Sequence, residues 1–241
     1  MSARRVIALA SVALMLVPLV IRAQDDQLPR STMPSWLAFG LHGIGSDPVG
    51  AFADNVRSAW GGGVEGRVRL DPDGWLALRG DLSYSSYGRS RSVVGAAPGA
   101  GALIGGELAT SNTISTAMIG AEVALPWGVV RPYVNAMIGA NLFQTATVLR
   151  PPAGVPQNAQ STTNTDDWIA SRAVGGGVRI PLARNRTGLT ALDVGVRRWF
   201  NGPTRYATPA DLVAGPAGPS LRTRESRTDA WAFSVGFAFA P

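Results

Sequence analysis

The stretch Trp231-Ala232-Phe233-Ser234-Val235-Gly236-Phe237-Ala238-Phe239 decides the fold. Trp231, Phe233, Val235, Phe237 and Phe239 take every second position, and Ala232, Ser234, Gly236 and Ala238 fill the places between. A period of two belongs to a strand, whose successive side chains point to opposite faces; a helix would scatter these residues around its axis. Toward the N-terminus seven further segments sort the same way.

In Trp36 to Gly45, Leu37, Phe39 and Leu41 oppose His42. Trp60, Val64, Val68 and Leu70 oppose Gly61, Gly63, Glu65, Arg67 and Arg69, and Leu76, Leu78, Leu82 and Tyr84 oppose Arg79, Asp81, Ser83 and Ser85. From Ile114 to Leu125, Ile119, Ala121 and Val123 face away from Gly120 and Glu122; from Val130 to Thr145, Val134, Ile138 and Leu142 face away from Arg131, Tyr133 and Asn135. The last two segments are Trp168 to Leu182, with Val174, Val178 and Ile180 against Gly175, Gly177 and Arg179, and Leu189 to Phe200, with Leu192, Val194 and Val196 against Asp193, Gly195 and Arg197.

The connections alternate in length. Asp71-Pro72-Asp73-Gly74, Pro126-Trp127-Gly128 and Ala183 to Gly188 read as tight turns. Gly88 to Thr113, Ala146 to Asp167 and Asn201 to Thr228 read as long loops, and Ser46 to Ser58 is intermediate. Short turns on one rim and long loops on the other are the habit of membrane barrels.

Composition supports this class. The chain has 241 residues, 46% hydrophobic and 16% charged, too apolar for disorder and too interrupted for a helical membrane protein. One domain is expected. The absence of cysteine removes disulfides, thiolate metal sites, a cysteine nucleophile and a lipoprotein anchor. Arg4 and Arg5 precede an apolar run from Val6 to Ile21 that ends at Arg22-Ala23, the pattern of a secretory signal peptide over residues 1–23. The run is short for a spanning helix and Pro18 interrupts it, which argues against an uncleaved anchor. Removing Arg4, Arg5 and Arg22 takes 22 basic residues to 19 against 16 acids, so the net charge falls from +6 to +3 and a nucleic-acid partner is not expected. Residues 24–35 then form a periplasmic N-terminal stretch, and 36–241 the barrel.

Which face is outside separates two barrels. A soluble lipocalin-like barrel turns its bulky face inward around a ligand and carries charge outside. Here the polar face is crowded with Gly, Ala and Ser, which suits a narrow interior, and the bulky face is nearly free of charge over the 9 to 11 or so residues a tilted spanning strand needs. Trp60, Trp168, Phe200, Trp231 and Phe239 sit near segment ends, as aromatic girdles do. The expected fold is all-β: an eight-stranded antiparallel up-and-down transmembrane barrel with short periplasmic turns and long extracellular loops.

With these features the chain resembles the small bacterial outer-membrane barrels, such as the OmpA transmembrane domain and its OmpX-type and OmpW-type relatives. The resemblance is one of pattern and covers Trp36 to Pro241. It implies residence in the outer membrane after export, and recognition of the last strand by the barrel-assembly machinery. Ser234, Gly236 and Phe239 match that signal in register, with Pro241 where its terminal aromatic stands. Likeness to the OmpW type implies a narrow channel for small or apolar solutes, and likeness to outer-membrane lipid A deacylases implies a rim hydrolase using His42 as general base. A monomer is the expected state.

An inward polar face brings Glu65, Arg67, Arg69, Arg79, Asp81, Glu122, Arg131, Arg179, Asp193 and Arg197 into one lumen. These residues suit a salt-bridged plug that fixes register, or, with arginine outnumbering acid six to four, a narrow anion-preferring passage. Arg205, Arg222, Arg224 and Arg227 in the last long loop are candidates for contact with lipopolysaccharide phosphates, set against an ordinary solvated loop. Gly61-Gly62-Gly63 and Gly175-Gly176-Gly177 open no helix and precede no Lys-Ser/Thr pair, so they read as close-packing glycines, against Tyr133 or another lumen aromatic. No catalytic constellation, cofactor motif or metal-ligand spacing is present in the sequence. The expected role is structural, protective or adhesive through the loops.

Overall fold

The computed structural model describes residues 36–94, 106–150, 160–185, 188–208, 211–215 and 218–240. The signal-peptide and N-terminal assignments, over 1–23 and 24–35, and the terminal Pro241 lie outside them. Eight strands close a barrel: β1 (Leu37–Pro48), β2 (Ala59–Arg69), β3 (Leu76–Val94), β4 (Gly106–Ala124), β5 (Arg131–Arg150), β6 (Gln160–Asn185), β7 (Gly188–Asn201) and β12 (Ala230–Ala240). Sequence neighbours pair antiparallel from β1 to β7, β12 joins β7, and β12 returns to β1 to close the ring. Pairing puts like faces together: Leu41 stands between Val64 and Phe237, and Glu65 is paired with Asp81.

The bulky face is outside. Leu41 is 58% exposed, Leu82 58%, Val134 62% and Ile138 64%, a pattern that would be ruinous in water and is proper against hydrocarbon. A lipocalin-like arrangement is thereby overturned, since the side chains that would line its cavity point away from the axis. Trp60, Trp168, Phe200 and Trp231 are exposed at one end of the apolar band; Trp36, Trp75, Trp127 and Phe239 are exposed at the other. The periplasmic turns are tight. Trp75 and Trp127, on neighbouring turns, meet edge to face at 4.7 Å. Gly74 (φ 79°) and Gly128 (φ 95°) adopt left-handed conformations that a side chain would strain. In the first turn the Leu76 and Trp75 amides donate to Asp71 at 2.6 and 3.0 Å, holding its carboxyl below the ordinary value.

Two loops are shorter than the sequence suggests. β3 and β4 continue as a ladder to the Val94–Gly106 pair, and β5 and β6 to the Leu149–Gln160 pair, where the alternation implied loops over Gly88 to Thr113 and Ala146 to Asp167. Over this extension the contrast between bulky and polar residues fades while backbone pairing goes on. Past their last rungs with β2 and β7, at Ser86 and Ser171, β3 runs on to Val94 and β6 back to Gln160, about 25–35 Å along the strands at ~3.3 Å per residue. Asn201 to Thr228 also carries structure. It contains two small hairpins, β8 (Pro203–Tyr206) with β11 (Arg224–Arg227), and β9 (Leu212–Gly215) with β10 (Gly218–Leu221).

Closed barrels resist cold detergent. The folded protein is therefore expected to migrate differently on a gel before and after boiling; identical migration would contradict a closed transmembrane barrel.

Candidate functional site

The periplasmic half of the lumen holds a single ion-pair network. Alternation puts Glu65 and Arg67 of β2, Arg79 and Asp81 of β3, Glu122 of β4, Arg179 of β6, and Asp193 and Arg197 of β7 on the inner face. Arg79 is the hub: it bonds Glu65, reaches Glu122 at 2.8 Å and lies 3.3 Å from Asp81. Arg179 donates to Glu122 at 2.7 Å and to Asp193 at 2.8 Å. Arg197 meets Asp81 at 2.8 Å, and Arg67 lies 3.4 Å from Glu65 and 4.0 Å from Glu122. Arg79 and Glu122 are each 1% exposed, so the ion pairs they make must offset the loss of water around both charges.

Two of the ten expected residues, Arg69 and Arg131, stand at strand ends. Arg69, the last residue of β2, makes no ion pair among the described residues. Arg131, the first of β5, lies beside the turn, its Nε donating to the Gly128 carbonyl at 3.3 Å. The eight that meet are Arg67, Arg79, Arg179 and Arg197 against Glu65, Asp81, Glu122 and Asp193, four of each sign and a net charge of zero. The six-to-four excess that suggested an anion-preferring passage comes from Arg69 and Arg131 at the strand ends.

Two further members escape a search for charged residues. Tyr133 of β5 donates its hydroxyl to Asp193 at 2.7 Å, and its ring lies under Arg179 (4.0 Å) and near Arg79 (5.5 Å). Its room comes from glycine: a Cβ at Gly177 or Gly195 would stand 2.6 or 2.7 Å from the Tyr133 hydroxyl oxygen. The glycine-run reading therefore holds at Gly177. His42 of β1 lies inside, 3.7 Å from Asp81, with its side chain 6% exposed. That position removes it from the rim, where a deacylase base would have to meet lipid.

Above the charges the interior changes character. Ile44, Met118, Met137, Ala173, Trp199, Ala230 and Ala232 form an apolar layer. Next comes a polar belt: Asn201 accepts from Ser171 and, at 3.0 Å, from Asn141, and donates to the Thr228 carbonyl at 2.7 Å. The mouth is stopped by aromatics. The chain between β1 and β2 makes a short 3-10 turn over Gly50–Phe52 that buries Phe52 against Tyr87, Phe143 and Tyr206, with centroids 6.2, 6.1 and 5.1 Å away. Alternation had marked the inner face as small or polar; Ile114, Met118, Met137 and Phe143 add bulky apolar side chains to its upper half beside the polar belt.

The loop arginines are largely engaged in the chain's own contacts. Arg224 grips Asp211 through Nε and Nη2, both 2.8 Å from Oδ1, and its Nη1 reaches Asn55 at 2.6 Å. Arg205 lies 3.4 Å from Glu225, Arg227 3.8 Å from Asp229, and Arg222 is exposed. The clasp of Asp211 and Arg224 ties the hairpins to the β1–β2 connection over the aromatic stopper. Burial raises the Asp211 carboxyl, but hydrogen bonds from Arg224 and from the Thr208 hydroxyl and amide bring it below its ordinary value.

A closed eight-stranded ring with an apolar outside, two aromatic girdles and a paired, filled inside defines a small transmembrane β-barrel of the outer-membrane type. No protein-family model matches the chain, and no curated relative matches it. Solved structures similar to it include a major outer membrane protein from Thermus thermophilus (12% identity, TM-score 0.47, 85% of this chain and 99% of that one). Neisserial surface protein A (NspA) is similar at 14% identity and TM-score 0.43, over 85% of this chain and 97% of that one. The outer membrane protein OprG from Pseudomonas aeruginosa is similar at 14% identity and TM-score 0.42, over 84% of this chain and 93% of that one. The inverted faces of the barrel, rather than these likenesses, define the class.

Removing one member of a buried network leaves its partners uncompensated, at a cost of about 3–5 kcal/mol. Glu122→Gln is expected to lower the urea-unfolding free energy by that order, while Arg69→Ala, outside the network, stays within about 0.5 kcal/mol. A Glu122→Gln change as small as that of Arg69→Ala would mean the lumen charges are hydrated rather than paired.

The clasp gives a pH prediction. A depressed native pKa supplies stability that is complete above the unfolded value, near ~3.9, and is lost as pH falls through the native value. Hydrogen-exchange protection of the paired Tyr206 and Arg224 amides should hold down to about pH 4 and decline below it. Asp211→Asn should lower protection at every pH and flatten the profile; matching profiles in both proteins would exclude the clasp.

Proposed function

We propose that the protein is a non-conducting, non-enzymatic outer-membrane barrel that carries a stiff extracellular platform, its role structural, protective or adhesive through that platform. The observation that carries this reading is the continuous filling of the lumen. Neutral ion pairs, an apolar layer, a polar belt and an aromatic stopper succeed one another from periplasm to exterior. An eight-stranded ring has little interior to spare, and here side chains occupy it. Above the membrane, the extended ladders of β3 to β6 and the clasped hairpins form a raised wall, the part of the molecule a partner outside the cell would meet first.

Localisation to the outer membrane after signal-peptide export, assembly through the C-terminal strand, a monomeric state and contact with outer-membrane lipid and lipopolysaccharide belong to the same proposal. Support comes from the apolar outer band, the inward polar face of β12 and the leader-like pattern of residues 1–23. The rival is a narrow channel for small or apolar solutes.

Planar-bilayer recording separates the two. The purified protein is expected to show no reproducible opening, and Glu122→Gln none either while the aromatic stopper stays in place. Discrete, repeatable conductance steps from the unaltered protein would replace this reading with the channel.

A further inference from the structure

The outer wall carries two arginines where the alternation predicts apolar side chains. Arg172 of β6 and Arg198 of β7 both point outward, between inward Ser171, Ala173, Arg197 and Trp199. Arg172 pairs with Phe200 and Arg198 with Val174, so the two are diagonal neighbours on one face, within reach of a common ligand. Arg198 is also level with Trp231. Beneath them the outward positions of β7 and β12, Leu192, Val194, Val196, Phe233, Val235 and Phe237, are uncharged. The pair therefore marks the upper edge of the apolar band, at the depth of lipid headgroups.

Its electrostatics are unbalanced. Arg198 lies 5.4 Å from the Phe200 ring and 5.6 Å from that of Trp231, which orient its guanidinium. Its Nη1 is buried with no hydrogen-bond partner, its side chain is 20% exposed, and Asp229 lies 3.7 Å from Nη2. Asp229 is shared: Arg227 lies 3.8 Å away, and the Asn201 amide donates to its Oδ1 at 2.8 Å. Arg172 is exposed and makes no ion pair among the described residues. Two arginines share this one carboxylate and Arg172 has none, so the three carry a surplus of positive charge at the membrane surface.

We propose that Arg172 and Arg198, seconded by Arg227, bind a phosphate of lipid A in the outer leaflet. Planar guanidinium forks match phosphate oxygens in paired hydrogen bonds, and the aromatic side chains beside them give the lipid's sugar and upper acyl carbons a surface to lie on. The inference rests on the outer-membrane reading and adds a site to it, on the barrel wall rather than among the exposed loop arginines.

Native mass spectrometry of the full folded protein in detergent tests it, with bisphosphorylated lipid A and its dephosphorylated counterpart as probes. The unaltered protein should retain the bisphosphorylated lipid preferentially. Arg172→Gln with Arg198→Gln should weaken that binding at least tenfold and leave the dephosphorylated lipid unaffected, and Arg172→Lys with Arg198→Lys should restore part of it. Arg205→Gln with Arg222→Gln should change it less than threefold. Equal affinity of the glutamine double variant, no preference for the phosphorylated lipid, or displacement of the lipid by millimolar inorganic phosphate would overturn the site. The boiling-dependent gel shift verifies folding of each variant. Density fractionation addresses the underlying reading separately: a protein missing from the outer membrane defeats that reading whatever the lipid does in detergent, whereas correct localisation with unchanged affinity defeats the site alone.

Discussion

In hydrocarbon an unpaired backbone amide has no water to turn to, and that constraint governs the molecule. Every strand crossing the membrane must find a partner on each side, which only a closed ring provides. β12 meets β1 from Phe39–Phe239 to Pro48–Ala230, and this seam completes the pairing. Closing after eight strands fixes the bore, and the bore limits what the inner face can hold. Hence the inward residues of β12 are Ala232, Ser234, Gly236 and Ala238: beside Gly236 the space belongs to the backbone and Cβ of His42. Gly40 likewise yields to the stem of Glu65.

A narrow interior could be filled with apolar side chains at less desolvation cost, and buried ion pairs as a rule add little net stability. What they add here is register. Arg79 touches carboxylates from β2, its own strand and β4, and Arg179 bridges β4 and β7 across the lumen. A slip of one residue in any of these strands would turn a charge into the lipid and leave several others alone. The upper layers carry no ion-pair network of this kind: an apolar layer, the belt around Asn201 and an aromatic stopper fill them, Phe52 sealing the mouth from a connection rather than a strand.

The membrane-spanning part was legible because lipid and lumen enforce opposite chemistries on alternate residues. From Trp231 to Phe239 the pattern is unbroken, and the strand and its outward face follow from it. The same rule hid what it does not govern. Past the bulge at Ser86 and Gly88 the sequence no longer alternates bulky with polar residues, although the ladder of β3 and β4 continues. The clasp joins Asn55, Asp211 and Arg224, residues up to 169 positions apart, through contacts that no local pattern announces. Tyr133 stood on the correct face but joined the network through a hydroxyl that a search for charges passes over, and Arg172 was masked by Val174 and Val178 on the same face.

The unequal heights of the strands give the protein a front and a back. β1, β2, β7 and β12 end near the membrane surface, whereas β3 to β6 continue upward as a curved screen. A membrane neighbour with a bulky exterior domain collides with the screen before it touches the barrel wall, but can approach the low side to close range. Lateral crowding therefore acts on the molecule as a torque as well as a pressure.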